Sequence, residues 1–248
     1  VAVGKSGSIL LNDGAGWQRM QSNTIWDLYA VWGTDMNNVY AVGLGPYMYH
    51  YDGSQWSTLP AGLPVTLRSI WGASESSIFA VGDRGKIVTY DGVEWKTETG
   101  ITSNTLYAVF GTSPTNVYAG GEHGTLLQFN GIGWYEIESG TARPIFGIWG
   151  TSPYDLYIAC AGGRVRHFDG QDWTDMSIRV NEDLTSIWGT ASYNIYAAGR
   201  GGALIHYDGA SWKSVGFPAR FDLTGIDGTS AANIYFTGVK GSVIHYGR

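Results

Sequence analysis

The sequence predicts an all-β fold of short antiparallel strands, and three observations carry that reading. The first is a strict internal period, the signature of a repeat architecture. Trp17, Trp56, Trp95, Trp134, Trp173 and Trp212 stand 39 residues apart. Gly4, Gly43, Gly82, Gly121, Gly199 and Gly238 keep the same spacing, with Cys160 in the one remaining place. The second is composition. The 248 residues include 37 Gly, 11 Trp and 16 Tyr. Gly is at about twice its usual share, which fits tight turns between aromatic strands. The third is that no segment keeps a helical pattern beyond two turns.

Each element of the repeat is visible in one copy, residues 67–105. Strand A is expected at Leu67–Trp71, strand B at Ile78–Val81 and strand C at Lys86–Tyr90, with strand D starting at Trp95. All are rich in β-branched and aromatic types and bounded by Gly, Ser, Asn or Asp. Asp91-Gly92 marks the tight C–D turn. Asp83-Arg84-Gly85 suits a short B–C link with Gly at positive φ. Strand B is almost continuously apolar (Val39-Tyr40-Ala41-Val42, Ile195-Tyr196-Ala197-Ala198), as a strand covered on both faces would be.

Four antiparallel strands per 39-residue unit imply the blade of a β-propeller. Residues 1–248 are therefore expected to form a single β-propeller domain. The strand signals number 26: seven B, seven C, six A and six D. Six closed blades would leave a hairpin over and seven would lack two strands, so the count favours seven blades, with six as the alternative. A spare hairpin would open the way to strand exchange or oligomer formation through the terminal strands.

The order LxxIWGTS, VYAVG, GxxxHYDG, then W resembles the tectonin and tachylectin type of repeat. It is similar as well to repeats of secreted bacterial propeller proteins. Asp227 departs from the pattern, standing where other copies carry Trp or Phe. The resemblance implies a lectin-like or surface-recognition module, secreted or at the cell surface.

Strand direction separates two sets of turns. A–B and C–D turns belong to one face, B–C tips and D–A links to the other. The first set is monotonous (GTSPTN, GTSPYD, GTASYN; DGSQW, DGASW), as structural turns are. The second varies (GLGP, GDRG, GEHG, GRGG, GVKG), and variable loops on a rigid scaffold are where binding sits. Nine of the 15 basic residues fall there: Lys5, Arg84, Lys86, Arg143, Arg164, Arg179, Arg200, Arg220 and Lys240. Six acids share it, Asp27, Asp83, Glu122, Glu182, Asp183 and Asp222. Trp26, outside the two repeated Trp positions, lies in a D–A link, with Tyr47 in the tip of the same unit. The candidate binding residues are thus Trp26, Tyr47, Arg84, His123, Arg164, Arg200 and Lys240, an aromatic and cationic set suited to acidic glycans or an acidic protein surface.

Other functions find little support. A net charge of −6 argues against a general nucleic-acid binder. The lone Cys160 excludes an internal disulfide and a multi-cysteine metal site. No apolar run is long enough to span a membrane as a helix. The chain opens on Val1 without a signal peptide, which reads as a processed chain or a fragment. His50, His167, His206 and His245 share one strand C position in different blades, which points to a structural hydrogen bond rather than a metal site. GxSxG, HExxH, Walker and DxDxDG motifs are absent. The expected function is non-enzymatic binding without cofactor or metal: a lectin-like glycan binder first, a protein-interaction or scaffold domain second. A glycosidase, which needs two carboxylates on one cleft, is the remote third.

Overall fold

Strands form where the turn residues release the chain. The computed structural model describes residues 1–60, 65–178, 180–216 and 220–247. These give seven antiparallel sheets in chain order, over residues 2–20, 28–60, 67–98, 106–136, 145–175, 184–214 and 223–246. In the third sheet, strands A to D are Leu67–Ser74, Ser77–Gly82, Ile87–Tyr90 and Trp95–Glu98. The five middle sheets have four strands; the first has B, C and D, the last A, B and C. This is a seven-bladed β-propeller fold. The six-blade alternative is excluded, because residues 2–20 and 223–246 belong to separate sheets. Among the described residues no hairpin is left over, so strand exchange loses the basis that the six-blade count gave it.

Two compact units divide the chain: residues 1–119 with 129–135, and residues 120–128 with 136–248. In the first, Tyr40, Val42 and Met48 of the second sheet pack on Leu67, Ile70, Ile78, Ala80 and Val88 of the third. In the second, Tyr196, Ala198 and Leu204 pack on Leu223, Ile234 and Phe236. Strand B is buried throughout most copies, in keeping with its unbroken apolar run.

The IWG motif explains how one sheet seats on the next. A Cβ built on Gly111 would lie 2.5 Å from the Trp71 ring, and Gly72 meets Trp32 in the same way. In the second unit Trp149 covers Gly189 and Trp188 covers Gly228. Each indole thus occupies the volume that a side chain would fill one repeat later. Strand A also carries two bulges, at the residue after Leu67 and at Ala73, which recur in each copy whose register is resolved.

The two Trp classes are not uniformly buried. Trp56, Trp134 and Trp212 are buried, whereas Trp17 is 37% exposed on the outer strand of its three-stranded sheet. Of the inner class Trp149 is buried, whereas Trp32, Trp71 and Trp188 are half-buried, although each of the four rings covers a glycine.

A side-chain network stitches three strands at the constant turns. In the second sheet the Asn38 amide donates to Thr34 Oγ1 (3.0 Å) and meets His50 Nε2 (2.8 Å), and the imidazole stacks on Tyr40. Thr190–Asn194–His206 and Thr229–Asn233–His245 repeat it, and Thr151–Asp155–His167 is its acidic variant. The four histidines are therefore structural. Burial lowers the pKa of His50 and His206. Their stabilising contribution is full above the unfolded value near 6.5 and declines as pH falls toward the lower folded value, where the unfolded chain binds the extra proton. Thermal unfolding followed by circular dichroism should show Tm falling between pH 7 and 5, and His206→Gln should flatten that slope. A slope unchanged in the variant would remove His206 from it.

Candidate functional site

The backbone itself ties B–C tips to neighbouring D–A links. Gly7 N donates to Trp26 O, Leu44 N to Asp27 O, Asp83 N to Thr66 O, Arg200 N to Asp183 O and Val239 N to Asp222 O, at 2.8–3.0 Å. Side chains reinforce this. The carboxylates of Asp27, Asp183 and Asp222 accept from the tip amides of Ser6, Gly162 and Gly201 at 2.8–2.9 Å. Three of the six acids that the sequence places among the variable loops thus serve as loop clamps. The constant spacing of 21 residues between amide and acid is the signal that would have found them.

The second residue of the tip adopts the left-handed region. Ser6 has φ +51°, Arg84 +58°, His123 +56° and Lys240 +62°, where the three other copies use Gly45, Gly162 and Gly201, all at positive φ. A non-glycine residue pays about 1–2 kcal/mol there. Arg84, His123 and Lys240 are exposed, and among the described residues none of the three forms an ion pair or hydrogen bond. At three of these tips a position that glycine would fill without strain instead carries a projecting cation or imidazole.

The remaining cations are partly engaged. Arg164 meets Asp175 at 3.6 Å and Arg200 meets Asp183 at 3.4 Å. Lys86 is buried and donates to Thr97, which takes it out of the loop surface. Arg179 lies outside the described residues. Cys160 is buried, and burial pushes its thiol up to about 12.

On the variable loops the exposed apolar residues gather at the second blade, whereas Val93, Ile132, Tyr154 and Tyr193 are exposed on the constant turns. Ile25 is 83% exposed, Trp26 41% and Tyr47 44%, with Tyr29 and Leu44 exposed beside them in sequence. The Trp26 ring lies over Gly45, where a Cβ would come within 3.2 Å of it. Its backbone is fixed by Gly7 N on its carbonyl and by Thr24 Oγ1 on its amide, and Thr24 is itself bonded to the Tyr49 hydroxyl. Trp26 and Tyr47 therefore flank the same Leu44-Gly45-Pro46 tip. Beside Ile25 an open groove of about 550 Å³ runs along Ser6, Gly7, Arg19, Met20 and Asn23. The sequence singled out Trp26 and Tyr47; it placed Ile25 in the same D–A link and Leu44 in the same tip without choosing them, and it did not single out Tyr29.

Of the seven predicted residues, Trp26, Tyr47 and Arg84 belong to the first unit, and His123, Arg164, Arg200 and Lys240 to the second. Within the first, Trp26 and Tyr47 come together. Within the second, each cation sits on its own blade. The constant turns have their polar groups satisfied: Asp52, Asp91, Asn130, Asp169 and Asp208 each accept two backbone amides through Oδ1. Among the described residues no cluster of His, Cys, Asp and Glu could hold a metal, and no helix is long and apolar enough to cross a membrane.

No protein-family model and no curated protein matches the chain. Among solved structures it is similar to YCF48 bound to a D1 peptide, at 20% identity and a TM-score of 0.79, over 99% of this chain and 87% of that one. It is similar also to YCF48 from Cyanidioschyzon merolae, at 15% identity and a TM-score of 0.79, over 99% of this chain and 90% of that one. What this chain shares with both is the seven-bladed β-propeller fold.

Proposed function

We propose that the chain is a non-catalytic protein-interaction module that docks one partner through its variable loops, anchored on the second blade. The observation that carries this is the exposed set Ile25, Trp26, Tyr29, Leu44 and Tyr47, which among the described residues no other blade repeats. A lectin with equivalent sites would carry its aromatics at equivalent positions in several copies, as the constant turns do with Tyr154 and Tyr193. On the variable loops the exposed Trp26–Tyr47 pair has no such copy among the described residues, and the Trp26 backbone is locked, as at a binding hot spot. Projecting Arg84 adds a cation on the next blade of the same unit. A neighbour of the same fold holding a peptide supports a protein segment as ligand. The glycan reading suggested by the tectonin-like repeats survives as the competing outcome.

Random peptides displayed against the immobilised protein test this. Selected peptides should lose about thirtyfold in affinity on Trp26→Ala, a loss of about 2 kcal/mol for a central aromatic. Arg84→Gly should weaken binding while leaving the fold as stable or up to about 1 kcal/mol more so, because glycine accepts the left-handed tip. Peptides indifferent to both changes, or binding of several sugars per chain on a glycan array, would overturn the reading.

A further inference from the structure

We propose that Asn130 is a self-deamidating site, at which the C–D turn of the fourth sheet converts the amide into the aspartate found at that position in the other copies. Asp13, Asp52, Asp91, Asp169 and Asp208 occupy the equivalent place in the other five C–D turns, where Asn130 is the one departure. Asn130-Gly131 is also the only Asn-Gly pair in the chain. Asparagine is thermolabile in general, and a following glycine leaves the attacking backbone nitrogen unshielded. Here Asn130, Gly131 and Ile132 are all exposed, with Gly131 at φ +88°.

The turn adds something that an unstructured Asn-Gly lacks. Ile132 N and Gly133 N both donate to Asn130 Oδ1, at 3.0 and 3.1 Å. Deamidation begins when Gly131 N attacks Asn130 Cγ. The N–Cγ bond forms, negative charge gathers on Oδ1, and the Cγ–Nδ2 bond breaks. Ammonia leaves with the proton lost from Gly131 N, and a succinimide remains. Water then opens the ring. Attack at Cγ breaks the new bond and gives aspartate; attack at the backbone carbonyl gives isoaspartate. The two amides sit where charge develops in the first step and again when water attacks Cγ, the arrangement of an oxyanion hole. They do not serve the backbone carbonyl. The folded turn therefore promotes ring closure and steers opening toward aspartate, whose carboxylate keeps both donors, as in Asp52 and Asp91.

The test incubates the full chain in mildly alkaline buffer, folded and in urea, and quantifies Asn, Asp and isoaspartate at position 130 by peptide mass spectrometry. The folded protein should convert, with an Asp-to-isoaspartate ratio higher by roughly tenfold than in urea, a fraction of what buried oxyanion donors give. Asn130→Asp should match the converted wild type in chromatographic charge and unfold at the same temperature or higher. A folded chain that stays amidated while the urea sample converts would overturn the proposal, as would equal product ratios in both states.

Discussion

Trp134→Ala should destabilise the protein by about 3–5 kcal/mol, the range for a fully packed aromatic. Trp134 is buried and stands against Phe129 of its own sheet and Phe79 of the preceding one, with centroids 5.5 and 6.1 Å away. Its removal opens a cavity between two sheets that rigid strands cannot close. Trp17→Ala, at the same repeat position but 37% exposed, should cost under about 2 kcal/mol. Urea unfolding of both variants checks this through the midpoint at constant slope. Equal losses would show that the repeat position, rather than burial, sets the cost.

Gly111→Ala is expected to be nearly as damaging, at about 3 kcal/mol, although it adds one methyl group. Gly111 is not at positive φ, so alanine would ordinarily stabilise the chain slightly by stiffening its unfolded state. The penalty comes from the Trp71 ring, which lies 2.5 Å from where the new carbon must go. Trp71→Leu in the same chain should return part of the loss, as contacting residues are non-additive. Additive losses would place the strain elsewhere.

Much of this architecture was legible because period and strand alternation are local signals. The 39-residue spacing, the B strands and the C–D turns all came from neighbours in sequence. What was hidden depends on contacts between distant residues. The clamp from Asp27 to Ser6 joins two loops of different repeats. The Thr34–Asn38–His50 line crosses three strands, so the sequence showed its histidine and not its asparagine. Exposure was the hardest quantity to read. Trp17 looked as buried as Trp56, and Ile25 passed unremarked in its D–A link yet is the most exposed residue of the second blade's apolar set.

The tryptophan-over-glycine contact has a consequence for how such a molecule can change. Because Trp32–Gly72, Trp71–Gly111, Trp149–Gly189 and Trp188–Gly228 are one junction used four times, consecutive copies are mechanically interchangeable parts. A duplication or deletion of a whole 39-residue segment would present each survivor with a mating surface it already fits. An insertion within strand A would break the junction, whereas one in an exposed loop would leave it intact. A lineage built this way can trade loops between copies, and so sample new recognition surfaces, without renegotiating its interior.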